Sequence, residues 1–309
     1  MGDGMDIWAE FDEKTNYLER TCRNKVVYIW GYGLSGWFVE HILKRNGITN
    51  IKAIDKNPNI KAFRPYYIKF LNPKESVLLL TFEPGESDEK YLSDLGFKKG
   101  LNYIVIKELY DIDQKGFISY ERYLDCRYGL DITTVVEETD KPSEESCGYH
   151  WGMDFVIVDM LSKVKFNSED AVFDYGCGKG GALLLFNKMG CKKLGGVEYD
   201  KRVYSSLIRN MKKLDIDISG FIQGDATLVK NEIDAYNYYF FYDPFEGQSF
   251  TTVIDNICES YERKKRKICI VYASPRCHEY LIKSGFKLIE HMDVQEMTYP
   301  NINMYVINP

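Results

Sequence analysis

The sequence predicts an α/β chain made of two open, mostly parallel three-layer domains in tandem, the second closing with an antiparallel strand pair. Three observations carry this. Apolar runs of strand length alternate with helix-period stretches through both halves of the chain. Twice a strand runs into a glycine-rich turn and then directly into a helix: Val26 to Trp30 before Gly31-Tyr32-Gly33-Leu34-Ser35-Gly36, and Val172 to Tyr175 before Gly176-Cys177-Gly178-Lys179-Gly180-Gly181. Later strands then end in acids, Asp55 in the first half and Glu198, Asp225 and Asp243 in the second. In an open parallel sheet such strand ends lie along one edge, where ligands bind.

The 309 residues suffice for two domains. A helix is expected over 7–24, with Ile7, Phe11 and Leu18 on or near one face. The first domain then spans 25–110. Its strands are expected at Val26 to Trp30, Ile51 to Asp55, Val77 to Phe82 and Asn102 to Ile106, with helices from Trp37 to Asn46 and from Glu86 to Leu95, where Gly96 marks the stop. Gly31, Gly33 and Gly36 form a G-x-G-x-x-G fingerprint in its confirming context, strand before, helix after, acid at the end of the next strand. One reading is a nucleotide or dinucleotide on those glycines with Asp55 on a ribose. The other is a retained fold serving as scaffold or dimer surface, which would make the chain a homo-oligomer. Hydride transfer is disfavoured, because the second half is another nucleotide-type fold where a dehydrogenase needs a substrate domain.

Residues 111–150 read as a connector, with a short helix at Tyr120 to Asp125 and an exposed acidic loop at Glu137 to Ser146. The second domain, 151–309, opens on a helix from Met153 to Lys163. After the glycine turn come a helix from Ala182 to Met189, a strand ending at Glu198, a helix from Lys201 to Leu214, and a strand from Ile218 to Gln223 that delivers Asp225. A strand from Tyr238 to Tyr242 leads into Asp243-Pro244-Phe245. A helix from Phe250 to Lys264, a strand from Lys267 to Tyr272, a helix from Arg276 to Ser284, and strands at Phe286 to Asp293 and Asn303 to Ile307, joined by a loop with Pro300, complete it.

These residues resemble the class I S-adenosylmethionine (SAM)-dependent methyltransferases, over roughly Gly148 to the C-terminus. The resemblance implies a Rossmann-like class I fold, SAM as cofactor, and methyl transfer as the activity. It places Asp174, Tyr175, Gly176, Gly178 and Gly180 in the motif that holds the methionine part and lies under the ribose. Glu198 would then take the ribose hydroxyls, and Asp225 the adenine amine with Ala226 beside it. Asp243-Pro244-Phe245 would face the methyl acceptor; it resembles the Asp-Pro-Pro-Tyr motif of amino-methylating enzymes, with Phe245 replacing a proline. The fold also lids its site with the segment before the first helix, which makes Tyr149, His150 and Trp151 candidates for the acceptor pocket. The first domain is similar, more loosely, to compact Rossmann-like modules of bacterial glycan and nucleotide-sugar enzymes. That similarity implies a glycan or nucleotide-linked small molecule as acceptor.

Displacing a methyl group from a sulfonium asks the protein to position an acceptor and handle its proton. Asp243 is the first candidate for that role, His150 the second, and His278 a third after the fifth strand. His41 and His291 read as structural or exposed. A non-catalytic SAM- or nucleotide-binding sensor is the alternative from another class. The net charge of −6 and the lack of a domain-scale basic field point away from nucleic acid. The run Glu262 to Lys267 reads as a solvated helix end. Eight scattered cysteines without a CxxC pair indicate neither a metal site nor a disulfide framework, and Cys177 reads as packing within its turn. Apolar runs are only strand-length, so a cytoplasmic protein without membrane contact is expected.

Overall fold

The computed structural model describes residues 8–112, 118–149, 158, 160–161, 164–292 and 301–308. They form two compact units, one ending at Gly129 and the other running from Leu130.

The N-terminal unit contains α1 (Ala9–Cys22), β1 (Val26–Trp30), α2 (Leu34–Arg45), β2 (Ile51–Ile54), a 3-10 turn (Pro65–Phe70), β3 (Ser76–Leu80), α3 (Glu86–Asp94), β4 (Tyr103–Val105), α4 (Ile106–Leu109) and α5 (Tyr120–Tyr128). Its sheet is parallel throughout, in the order β2-β1-β3-β4. The all-apolar stretch of β3 is buried along its length, as an interior parallel strand should be. Helix α2 starts three residues before the expected Trp37, because Gly33 takes an extended conformation and acts as its N-cap. Phe11 of α1 packs on Phe38, Tyr110 and Tyr123, at ring separations of 6.4, 5.0 and 4.9 Å. Helices α1 and α5 are thereby parts of this unit. The two units divide at Gly129, left-handed at φ +61 after α5, within the segment 111–150 expected as connector and lid.

The C-terminal unit contains β5 (Ala171–Tyr175), α6 (Gly181–Lys188), β6 (Lys193–Glu198), α7 (Lys201–Lys213), β7 (Phe221–Gln223), β8 (Tyr238–Tyr242), α8 (Gly247–Arg263), β9 (Ile268–Ala273), α9 (His278–Lys283), β10 (Lys287–Met292) and β11 (Ile302–Ile307). The sheet order is β7-β6-β5-β8-β9-β11-β10. The first five strands are parallel, and β11 runs antiparallel to both of its neighbours. This is a Rossmann-like sheet with the terminal antiparallel pair that the resemblance implied. Strand order reverses between β5 and β8, and the crevice of such a sheet opens at that switch point.

Strand β7 starts later than Ile218, since Ser219 donates to Asp217 and closes a turn there. Rings lock the centre of the sheet to α8: Tyr175 stacks on Phe241 at 4.9 Å, and Phe250 on Tyr272 at 5.2 Å. Most of the helix expected over 153–163, and the loop with Pro300, lie outside the described residues. No helix among the described residues is long and apolar enough to cross a membrane.

Candidate active site

Strand β5 brings Asp174 to the carboxyl edge of the sheet. Side chains alternate along a strand, so its neighbour Tyr175 points to the opposite face. There Tyr175 is fully buried in the core under α8. Of Tyr175, named with the motif, only the backbone therefore borders the turn. Gly176, Gly178 and Gly180 all lie in the left-handed region, at φ +80, +55 and +96. A Cβ on Gly176 would stand 2.8 Å from Pro244 Cβ, and one on Gly180 would stand 2.3 Å from Met211 Cε. The chain's own atoms therefore fill the space that the glycines leave, and their N–H groups are spent within the fold, Gly176 on Val197 O, Gly178 on Glu198 and Gly180 on Cys177 O. Cys177 packs within 3.0 Å of a Cβ position on Gly196, and burial pushes its thiol well above the usual range. It is packing, as its place in the turn suggested.

The three acids differ in how far their neighbours satisfy them. Asp174 is 3% exposed, and no described residue donates a hydrogen bond to it. Burial first, and the charge of Glu198 second, raise its carboxyl well above the usual range. Glu198 accepts one hydrogen bond on each oxygen, from Gly178 N at 3.0 Å and Asp200 N at 2.9 Å. It holds the glycine turn against β6 and keeps lone pairs for further donors. Burial raises its carboxyl too, against those amide bonds. Asp225 caps the 3-10 turn that begins at Ala226: its Oδ1 accepts from Thr227 N and Thr227 Oγ1, both at 2.8 Å. Its Oδ2 has no donor among the described residues.

Across the switch point, Asp243 ends β8 with φ +47, and Ser274 ends the neighbouring β9 with φ +55. Two adjacent strand ends thus hold non-glycine residues in a strained conformation, which is common where backbone is shaped for function. The Asp243 carboxylate pairs with Arg276 at 2.9 Å, and Arg276 also lies 3.7 Å from Glu246. Burial raises the Asp243 carboxyl, with Arg276 opposing. Phe245 turns inward, edge-on to Phe241 at 6.3 Å and to Tyr175 at 6.5 Å. The aromatic of this motif is core and gives an acceptor no stacking surface.

Sequence reasoning marked Tyr149 as part of a lid but did not find how the strap over 131–149 is anchored. Cys147 N donates to Pro244 O at 2.9 Å and Glu246 N to Glu145 O at 3.0 Å, so the strap runs antiparallel beside the Asp-Pro-Phe motif. The Glu145 carboxylate accepts from Gln248 N and Ser249 N, at 3.1 and 2.9 Å, and so caps α8. At the other end Lys179, 2% exposed, donates to Asp131 at 2.8 Å and to Thr134 O at 2.9 Å. Its ammonium also sits 5.4 Å from the Tyr149 ring. Asp140 N donates to Asp200 at 2.8 Å. The one local signal was a lysine inside a glycine turn; its partner Asp131 has none.

Of the histidines, His150 lies outside the described residues, as does Trp151. His278 Nδ1 meets Tyr305 Oη at 2.8 Å. Asn303 Nδ2 donates to the same oxygen at 2.8 Å, and Asn303 Oδ1 meets His291 Nδ1 at 2.6 Å. This chain ties the terminal strand pair to α9, which gives His278 and His291 a structural task. His41 is buried on α2 beside Tyr120.

In the N-terminal unit, Asp55 accepts from Tyr32 N at 2.6 Å and Asn57 N at 2.7 Å. Thr81 Oγ1 donates to Gly31 O at 2.6 Å, and Ser35 Oγ accepts from Ile118 N at 3.0 Å. A Cβ on Gly36 would stand 2.9 Å from Gly31 O, so that glycine lets α2 pack on the turn, while Gly33 has open space around it. The acid expected on a ribose holds its own loop with one amide on each oxygen, as Glu198 does in the other unit.

No protein-family profile and no curated protein sequence matches the chain. Among solved structures, a protein from Pyrococcus horikoshii OT3 is similar at 19% identity with a TM-score of 0.40, over 50% of this chain and 88% of that one. A SAM-dependent methyltransferase from Aquifex aeolicus gives 12% identity and 0.38, over 48% and 88%. A glycopeptide N-methyltransferase complexed with SAM gives 10% and 0.39, over 50% and 86%.

Proposed function

We propose that the C-terminal unit is a SAM-dependent methyltransferase acting on an oxygen or nitrogen acceptor, carried by a glycan or a nucleotide-linked small molecule. The observation that carries this is Asp174: a buried carboxylate at the switch point, beside a turn of left-handed glycines, to which no described residue donates. Such a group is costly unless a cation or donor completes it. The donor set fits SAM. Asp174 suits its ammonium, the free lone pairs of Glu198 suit a ribose diol, and Asp225 Oδ2 suits an exocyclic amine. When bound, SAM supplies a methyl group already activated on a positively charged sulfur.

The chain's own residues then have simple tasks. Asp243 accepts a hydrogen bond from the acceptor's O–H or N–H and directs its lone pair inward. Its raised carboxyl makes it a better proton acceptor than a free aspartate. Arg276 holds the carboxylate in place and limits that rise. The strap over 131–149 excludes water from the edge of the sheet.

Calorimetric titration with S-adenosylhomocysteine tests this reading. Saturable micromolar binding that is lost in Asp174→Ala and Glu198→Ala supports it. Normal binding in both variants, or none in the native chain, overturns it.

A further inference from the structure

The whole-chain charge of −6 hides a local reversal. Between Lys52 and Lys74 the chain carries six cations, Lys52, Lys56, Lys61, Arg64, Lys69 and Lys74, against one carboxylate, the buried Asp55. None of the six forms an ion pair among the described residues, although elsewhere in this unit cations pair readily, as Lys14 does with Glu10 and Lys99 with Glu108. Only Arg64 is committed, donating to the carbonyls of Asp55 and Asn57.

The same segment carries aromatic rings that the core does not absorb. Tyr66 and Phe70, on the 3-10 turn, are each 66% exposed, and Phe63 is 39% exposed. Phe63 stacks on Tyr67 at 4.2 Å, and Tyr67 lies 6.0 Å from Phe70 at a tilt of 58°, so three rings cluster beside the edge strand β2, with Tyr66 on the same 3-10 turn. Cations stand at the rings: Lys69 is 4.9 Å from the Phe70 centroid, and Lys52 is 5.9 Å from that of Phe63. Exposed large rings are expensive in a chain with no ligand for them. Unpaired lysines interleaved with rings suit a ligand that is anionic and flat by turns.

We infer that this surface of the N-terminal unit binds single-stranded nucleic acid, its bases on Tyr66 and Phe70 and its phosphates on the surrounding lysines. The acidity of the rest of the chain does not oppose this, because charges beyond about 10 Å are screened at physiological salt. The expectation that no nucleic acid is bound rested on the net charge and on the lack of a domain-scale basic field, and a patch of this size is smaller than a domain. The inference goes beyond the methyl-transfer reading and does not depend on it.

The test is fluorescence anisotropy of a labelled 12-nucleotide oligo(dT) or oligo(U) with the full chain, across a salt series. The expected result is saturable binding whose logarithmic dependence on salt has a slope of about −2 to −3, as three or four phosphate contacts give. Tyr66→Ala with Phe70→Ala should loosen it about tenfold or more. Lys61→Glu with Lys69→Glu should weaken it and flatten the slope. All four side chains are exposed, so the variants should fold, and an unchanged far-ultraviolet circular dichroism spectrum and unfolding transition in each confirms it. No binding at low salt, binding unaffected by both double variants, or preference for an acidic oligosaccharide of matched charge over the oligonucleotide overturns the inference. Because S-adenosylhomocysteine is titrated separately, failure of either reading leaves the other's result legible.

Discussion

The ring of Tyr149 lies against Gly178 so closely that a Cβ on that glycine would stand 2.7 Å from Tyr149 Cε2. Gly178 also has φ +55, so alanine there meets two separate penalties. The backbone term is about 1–2 kcal/mol. The collision adds to it by displacing the strap. Gly178→Ala should lower stability and weaken S-adenosylhomocysteine binding, and Tyr149→Ala in the same chain should restore the part caused by collision. A double-mutant cycle on urea midpoints measures that coupling; additive effects would mean that the ring simply moves aside.

Asp174 makes binding pH-dependent with a definite sign. Its folded carboxyl is raised, so the unliganded chain is most stable below the usual carboxylate range and loses that advantage as pH rises through the raised value. A cationic ligand prefers the ionised form. S-adenosylhomocysteine should therefore bind more tightly as pH rises above the usual carboxylate range, with release of a proton. Calorimetry in two buffers of different ionisation enthalpy measures this release. Asp174→Asn should raise the stability of the unliganded chain near neutrality, abolish the proton release and weaken binding.

Asp243 and its partner Arg276 separate binding from turnover. Asp243→Asn should leave S-adenosylhomocysteine affinity within about threefold while lowering kcat by about 100-fold or more, the range of general-base contributions. Arg276→Ala removes the cation that lowers the Asp243 carboxyl, so the acidic limb of its pH–rate profile should move to higher pH. A profile that does not move would separate Arg276 from the reaction.

The buried ammonium of Lys179 depends on Asp131. Asp131→Ala leaves it without its carboxylate; because Asp131 is about one-third exposed, the cost is discounted from that of a buried pair to about 1–3 kcal/mol. Lys179→Met in the same background should recover most of that loss. Chemical denaturation followed by intrinsic fluorescence reports both.

In the N-terminal unit, Asp55→Ala strands two amides, those of Tyr32 and Asn57, and should cost about 1–3 kcal/mol of that unit's stability. Equilibrium dialysis with NAD should find no binding for this variant to lose. Saturable NAD binding by the native chain that vanishes in Asp55→Ala would return the carboxylate to a ribose.

The strand–turn–helix punctuation made both sheets legible, because glycine, acid and apolar run coincide at Gly31 and at Gly176. Periodicity could not see that α1 and α5 pack on each other, since Phe11 and Tyr123 are more than 100 residues apart and meet only through tertiary contact. At the site, the strand-end acids were readable because alternation fixes which side chains reach the edge. The same alternation places Tyr175 in the core. The resemblance marked Tyr149 as part of a lid, but the anchors of the strap were not readable: Asp131 and Glu145 lie in a stretch with no period, and their roles come from what they touch. The cations of 52–74 are spread over 23 residues of sequence, so they form no run that stands out as Glu262 to Lys267 does.

Glu145 caps α8 while its own backbone pairs with Glu246, and the strap's other end is fastened through Lys179. The strap is thus anchored at two places, one beside the Asp-Pro-Phe motif and one at the glycine turn. On the methyl-transfer reading proposed above, departure of the demethylated cofactor past this segment, ahead of any chemistry at Asp243, would set the pace of each cycle.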